Sequence, residues 1–418
     1  MKKNNPRTET CDLMQYFYTT VHDPVIRALL RFSGRLDPDM LKRAVDLSAG
    51  AVPQIRCCFS QEKHAWEDRG FAAEQIVHIV DAGEGEDPSD RLMLSTIAFF
   101  EEPHLKITLV RGRESDSLCV VISHLVADGV GLKQYLALLA ELYGACEAGR
   151  EPAPPKPGDR SVRQLSKALR FGQKRQIFSS RMDYEKQDPS MYLPFEKGEG
   201  EPFCVLRRIE PERFSELHAY AKSRGATLND LLLAAYFRAH HTLTGCPKLV
   251  LPCPVDARKY LPKPSNCGVC NLTSSYMVRL LVGENDPFDE TLRAVSEQMT
   301  AQKNSLASLK GPLLLDFLFR MLPYSATRNM FFKTFYIPFI SFTNIGVLKP
   351  ELLRFGRTET VDAYLTTAVK KAPLFQVSVS SFAGRCTLSS NMEGSRQNRQ
   401  VVETFYDLLF AELGALTA

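Results

Sequence analysis

The prolines at 152, 154, 155 and 157 divide this chain more sharply than any other feature. The run Glu151-Pro-Ala-Pro-Pro-Lys-Pro-Gly158 fixes φ repeatedly and removes amide donors, so neither a helix nor a central strand passes through it. On each side, strand and helix periodicities are mixed. Before it, strands are expected at 25–32, 75–80, 105–111 and 118–122, with a β-like run at 55–60. Helices are expected at 37–49, with Leu41, Ala44, Val45 and Leu47 on one face, and at about 130–145. After it, 158–200 is basic, then polar and weakly periodic, and is expected to be a surface crossover. Strands follow at 204–209, 249–254, 274–281, 339–343, 375–381 and 386–390, and helices at 211–224, 228–242, 288–306 and 401–413. Asn229 and Asp230, at the start of the helix from 228, are expected to be capping groups. The expected fold class is α/β, with a first domain at 1–160, a linker at 161–200 and a second domain at 201–418. No fixed-period repeat is visible.

Composition narrows the function classes. Of 418 residues, 44% are apolar and 24% charged, which excludes a disordered, collagen-like or small disulfide-scaffold chain. Lys plus Arg is 52 and Asp plus Glu is 48, a net charge of +4. Spread over this length, that gives no electrostatic ground for nucleic-acid binding. The 11 cysteines are odd in number and irregularly spaced, and residues 1–11 carry no apolar targeting region. A reducing cytoplasm with mostly free, buried thiols is expected. Cys267-Gly-Val-Cys270 is one CxxC, with Cys246 and Cys253 upstream. A zinc site needs four ligands, and Cys253 falls within an apolar strand-like run, so neither metal binding nor a redox pair is expected there. No apolar run reaches the ~18 residues of a membrane-spanning helix.

The common catalytic signatures are absent. There is no Gly-x-Ser-x-Gly elbow, no Walker loop and no His-Glu-x-x-His, and Gly83-Glu-Gly85 lacks the third glycine of a dinucleotide loop. One constellation stands apart. Ser123-His-Leu-Val-Ala-Asp-Gly129 follows directly on the apolar strand 118–122 and precedes a helix. A histidine at a strand end can reach into a cleft, and Gly129 allows a turn that a Cβ would hinder. The same residues also fit a plain structural reading, with Asp128 as helix N-cap, Gly129 as a loop residue and His124 as a hydrogen-bonded strand-end histidine.

The segment resembles the His-x-x-x-Asp-Gly signature of the CoA-dependent acyltransferase superfamily, which includes chloramphenicol acetyltransferase, peptide condensation domains and alcohol acetyltransferases. Further segments are similar and in order: Pro53-Gln-Ile-Arg56, the helix sequence 226–235, Pro254-Val-Asp-Ala-Arg258, Ser341-Phe-Thr-Asn-Ile-Gly346, and 384–390 before the last helix. The resemblance implies two chloramphenicol-acetyltransferase-like α/β sandwich domains forming a pseudo-dimer, with an interdomain tunnel that holds His124 near its middle. It implies His124 as general base toward an alcohol or amine. Asp128 becomes a structural carboxylate paired with an arginine, with Arg56 the first choice and Arg258 the second. The Gly129 N–H and the Asn344 side chain become oxyanion candidates, and Ser123 a further substrate-side candidate. No permanently bound cofactor is expected; the co-substrate is an acyl-CoA or a phosphopantetheine thioester. Expected partners are a small acceptor, acyl-CoA and optionally a carrier protein, with no nucleic acid, and the expected state is a monomer.

The family pattern is not reproduced everywhere. Peptide condensation domains usually carry two adjacent histidines, and here the first is Ser123. The Asp-Phe-Gly-Trp-Gly motif of plant-type acyltransferases is missing, and no adenylation or carrier segment accompanies the chain. A stand-alone, alcohol-acetyltransferase-like enzyme is therefore expected, with a trans-acting condensation enzyme or a non-catalytic carrier-binding protein as alternatives. The Leu/Phe-rich stretch 312–342 is expected to be an ordinary buried helix and strand rather than an acyl-chain wall or membrane contact.

Overall fold

Strand Asp116–Ser123 shows how the first half assembles. In a computed structural model of the chain, described for residues 5–83, 87–181, 185–334 and 337–416, successive side chains of this strand alternate between two apolar layers. Leu118, Val120 and Ile122 enter the main core of the first half, while Cys119 and Val121 lie in smaller clusters. Burial on both faces explains why the sequence there is almost uninterrupted by polar residues. Helices Pro38–Ser48 and Gly129–Glu147 supply the matching layer, through Leu41, Ala44 and Val45 on one and Leu132, Tyr135, Leu136 and Leu139 on the other. Each such fully buried leucine contributes about 1.5–3 kcal/mol.

The first sheet runs in the order Thr360–Thr366, Val25–Phe32, Asp116–Ser123, Leu105–Arg111, Val77–Asp81. All its pairings are antiparallel except Val77–Asp81 with Leu105–Arg111. The second sheet joins Ile340–Leu348, Phe375–Phe382, Arg385–Gly394 and Glu201–Ile209, with Lys370–Lys371 added in parallel on Arg385–Gly394. Helices Leu228–Thr244 and Arg396–Gly414 pack into its core, together with the antiparallel ribbon of Lys248–Asp256 and Thr273–Leu281. The molecule is thus a mixed α/β protein of two lobes, each built on an open sheet.

Several expectations are corrected. The division at 160 and 201 does not follow the sheets. Strand Thr360–Thr366, from the second half of the sequence, pairs with Val25–Phe32 and completes the first sheet. The run 75–80 splits into the helix Ala73–Ile76 and the strand Val77–Asp81, because the Gln75 side chain accepts from the Ala72 N–H and closes a turn. The crossover holds helices Arg163–Ala168 and Phe171–Ser179 and is anchored by buried Arg160, Leu165 and Ile177. The stretch 312–342, of which 335–336 lie outside the described residues, forms helices Lys310–Met321 and Tyr324–Thr334 and the start of a strand. It is not uniformly buried: Leu315 and Phe331 pack on Phe17, whereas Phe317 and Met321 face outward.

A buried arginine ties the first sheet to its borrowed strand. Arg27, fully enclosed, donates from Nη2 to Asp23 Oδ2 at 2.5 Å, from Nη1 to the Thr367 carbonyl at 2.9 Å, and from Nε to the Ser95 carbonyl at 3.0 Å. Replacing Arg27 by alanine takes the bonded cation from Asp23 and the guanidinium donor from the Ser95 carbonyl, while the Thr367 carbonyl keeps Asn391 Nδ2 at 2.8 Å. A loss of about 3–5 kcal/mol is expected from urea unfolding, against a much smaller loss for the exposed Arg43→Ala.

Candidate active site

The loop after strand Asp116–Ser123 is held on every side by buried hydrogen bonds. Its first peptide is fixed where the His124 N–H donates to the Pro24 carbonyl at 2.6 Å. Arg160 donates to the carbonyls of Leu125 at 3.3 Å and Val126 at 2.9 Å. That guanidinium also binds Asp12, at 3.2 and 3.0 Å, and Asp12 accepts from Trp66 Nε1 at 2.9 Å. The Asp128 N–H donates to the Cys270 carbonyl at 3.2 Å.

Asp128 is the centre of this loop. Its Oδ1 accepts from the Gly131 N–H at 2.7 Å and so caps helix Gly129–Glu147. Its Oδ2 accepts from Arg258 Nη1 at 3.0 Å and from the Leu272 N–H at 2.8 Å. The N-cap reading and the arginine-pair reading are both realised in one carboxylate. Its arginine is Arg258. Arg56, the first choice from sequence, instead donates to the carbonyls of Phe71 at 2.5 Å and Gly70 at 3.4 Å, because the Pro53–Arg56 turn carries it toward the loop beyond Ala65–Asp68. Burial works against the charge of Arg258, but the carboxylates of Asp128 and of Asp256, which it also binds at 3.0 Å, outweigh it and hold the pKa above the usual arginine value.

The imidazole of His124 is half-buried and held by a residue that no motif spacing pointed to. Asn271 Nδ2 donates to the His124 carbonyl at 2.7 Å, which makes its Oδ1 the acceptor. Oδ1 lies 2.9 Å from His124 Nδ1, so Nδ1 carries the proton and Nε2 holds the free lone pair. No partner of Nε2 is found among the described residues. Burial pushes the His124 pKa below its usual value; Asp128 opposes the shift and Lys370 reinforces it.

The other candidate residues have defined places. Ser123 is buried at the end of strand Asp116–Ser123, where its hydroxyl accepts from the Leu125 N–H at 3.1 Å and shapes the turn. Asn344 is exposed; its Nδ2 donates to Asn229 at 3.0 Å and its Oδ1 accepts from the Gly346 N–H at 2.9 Å. Those bonds tie the amide to the first turn of helix Leu228–Thr244 and to its own strand. Asn229 is therefore a partner of Asn344 and not a cap, while Thr227 and Asp230 cap the helix reciprocally. Gly129 has no left-handed φ; its glycine character is required by Ile345, whose Cγ2 would lie 2.7 Å from a Cβ. Gly131 is tighter still, with the Cys270 carbonyl oxygen 2.7 Å from such a Cβ. The Gly129 and Val130 N–H groups open the helix and have no intrahelical acceptor. Lys133, one turn on, donates to the Ile345 carbonyl at 2.5 Å and ties the two lobes at this point.

Two cavities lie elsewhere. One of about 490 Å³ is bordered by Gln75, His78 and Lys106, and one of about 370 Å³ by Arg238 and His241; neither touches His124. All eleven cysteines are free, and no group of metal-ligating side chains is found among the described residues. No described helix is long and apolar enough to cross a membrane.

Residues 16–306 match the family model described as a condensation domain. Enniatin synthase of Fusarium equiseti is 23% identical over 295 residues, covering 65% of this chain. The chain spans only 9% of that synthase's length. The structure of polyketide synthase associated protein 5 from Mycobacterium tuberculosis superimposes with a TM-score of 0.69 at 15% identity, covering 100% of this chain and 99% of that one. The TRI3 trichothecene 15-O-acetyltransferase from Fusarium sporotrichioides gives 0.71 at 12% identity, covering 98% of this chain and 95% of that one. At these identities the structural likeness speaks for the fold.

The two candidate arginines make opposite predictions. Arg258→Met strands the buried Asp128 carboxylate and is expected to cost about 3–5 kcal/mol, whereas Arg56→Met is expected to cost under about 1 kcal/mol. Urea midpoints of the two variants check this.

Proposed function

The chain belongs to the condensation-domain family, and on that premise we propose that it transfers an acyl group from a thioester to an alcohol or amine, with His124 as general base. The donor is an acyl-CoA or an acyl-phosphopantetheine, and no resident cofactor takes part. The observation that carries this reading is the state of the imidazole. Its Nδ1 proton is committed to Asn271, while Nε2 has no partner among the described residues, and burial favours the neutral form that can accept a proton.

A thioester is already activated, so three tasks remain. The nucleophile has to be held near the carbonyl, deprotonated, and the oxyanion stabilised. His124 Nε2 takes the acceptor proton as the acceptor oxygen or nitrogen attacks the thioester carbon. The carbonyl electrons move onto oxygen, and the opening helix N–H groups of Gly129 and Val130 lie next in the chain to receive that charge. Collapse expels the thiolate, which takes the proton back from the imidazolium. Asp128 has no part in the proton transfer in this scheme; its carboxylate is engaged by Gly131, Arg258 and Leu272 and holds the loop. Donor and acceptor would enter an interdomain tunnel from opposite faces, in a monomeric protein of the cytoplasm.

A second reading is favoured by the family match itself. An enzyme forming amide or ester bonds between carrier-bound substrates would use the same histidine and differ only in what delivers the thioester.

Free thiol release separates the readings. Purified protein is incubated with acetyl-, medium- and long-chain acyl-CoA and with acyl-loaded carrier protein, each with panels of alcohols and amines. Acceptor-dependent release from acyl-CoA supports the CoA-dependent reading. Release from carrier-bound acyl groups alone supports the second, and release from neither overturns both. His124→Ala is expected to lower turnover at least ~100-fold while leaving the unfolding midpoint unchanged. The rate is expected to stay flat above pH 6.5 and to fall only below it, because the shifted His124 has to be neutral to act. A pH–rate profile with its acid limb above pH 6.5 would contradict that assignment.

A further inference from the structure

The thiols of Cys267 and Cys270 lie 3.8 Å apart, Sγ to Sγ, on the segment that supports the histidine loop. Cys270 is completely buried, whereas Cys267 is partly exposed. The Cys270 carbonyl accepts from the Asp128 N–H at 3.2 Å and from Arg258 Nη2 at 2.8 Å, and the Cys270 thiol is 3.6 Å from the same Nη2. The next residue is Asn271, which fixes the tautomer of His124. The carbonyl of Cys270 also packs against Gly131 so closely that a Cβ there would lie 2.7 Å from it.

We propose that Cys267 and Cys270 form a reversible disulfide that switches the active-site loop, with Cys267 as the attacking thiol and Cys270 as the resolving one. The inference rests on the functional reading above only for its effect on turnover, not for the disulfide itself. The hydrogen bond from Cys270 and the positive charge of Arg258 lower the Cys267 pKa, while the same hydrogen bond and burial raise that of Cys270. Only the exposed member of the pair is thus primed as a thiolate. The oxidant is a small-molecule disulfide such as oxidised glutathione. Cys267 S⁻ attacks one of its sulfurs, forming a mixed disulfide and releasing one thiolate. Cys270, losing its proton, then attacks the Cys267 sulfur and releases the second. Two protein thiols are oxidised and one disulfide is reduced to two thiols.

Closing the bond brings the sulfurs to about 2.05 Å, a movement of some 1.8 Å shared between the two residues. Cys270 has little freedom to supply its part, since its carbonyl is clamped by Asp128 and Arg258 and its thiol contacts the guanidinium. The strain passes to Asn271 and to the Asp128–Arg258 pair, and through them to His124. Misplacing a base by about 1 Å costs rates on the order of 10–100-fold, so the oxidised protein is the slow form.

The test uses the full chain equilibrated in reduced and oxidised glutathione at several ratios, then alkylated and digested. Mass spectrometry is expected to find a peptide joined internally at Cys267 and Cys270, lost on treatment with dithiothreitol and absent in Cys267→Ser. Histidine ring ¹³C–¹H spectra are expected to show the His124 signal, assigned with His124→Ala, moving on oxidation and returning on reduction. Thiol-free detection of acyl transfer is expected to fall roughly tenfold on oxidation and to stay constant in Cys267→Ser. Failure to form the joined peptide in an oxidising buffer overturns the proposal, as does a joined peptide that leaves the His124 signal in place. Neither readout requires turnover, so both stand even if no acyl transfer is found.

Discussion

Asp128 carries the junction between the two halves. Its carboxylate is 2% exposed and paired with the Arg258 guanidinium, an arrangement that is tolerated only when the buried group is well hydrogen-bonded. One donor comes from its own helix, the Gly131 N–H. The other two come from the second half of the chain, the Arg258 guanidinium and the Leu272 N–H. The same contacts that satisfy the charge therefore fasten the loop 123–129 to the segment 270–272. A helix N-terminus adds a favourable field for the negative charge. Because Asp128 is so fully occupied, the histidine four residues earlier has to find its orientation elsewhere.

That orientation is supplied by neutral and remote groups. Arg160, reaching from the crossover, gives hydrogens to the loop carbonyls of Leu125 and Val126, the first of which Asn271 Nδ2 also approaches at 3.4 Å, and Asp12 and Trp66 hold Arg160 in turn. The chain from the N-terminal helix Thr10–Tyr18 through the crossover to the loop is one connected polar network. Such networks fix geometry well when each member is satisfied. Here it makes the crossover a structural member of the site, where composition alone suggested a solvated link.

The sequence made the periodic parts of the fold legible and the long-range contacts illegible. Strand 118–122 and helix 130–145 could be read because their burial follows a period of 2 or 3.6 and depends on neighbours in sequence. Strand Thr360–Thr366 was missed because its identity as a strand comes from pairing with Val25–Phe32, more than three hundred residues away. The His124–Asp128 pair was visible as a motif. The choice between Arg56 and Arg258 was not, since both end similar turns after apolar runs and only the fold decides which one faces Asp128. Asn271 left no local signal, as its role is defined by a contact across 147 positions. Asn344 and Asn229 were each read as separate groups, while in the fold they bond to each other.

The partner chosen for Nδ1 bears on the chemistry. In a serine-type triad a carboxylate on Nδ1 stabilises the imidazolium and strengthens the base enough to activate a hydroxyl against an unactivated amide. At His124 that place is held by the Asn271 amide oxygen, which is neutral and offers weaker support, while the nearest carboxylate faces Arg258. Burial lowers the basicity further. A base of this kind suits a reaction whose electrophile arrives activated, with a leaving group that departs as a stable thiolate. It also keeps the resting imidazole neutral near pH 7, so that no proton has to be shed before an acceptor binds. On these grounds the thioester chemistry proposed for this site is a better match to its histidine than amide hydrolysis would be, even though both reactions begin with a histidine beside a carbonyl.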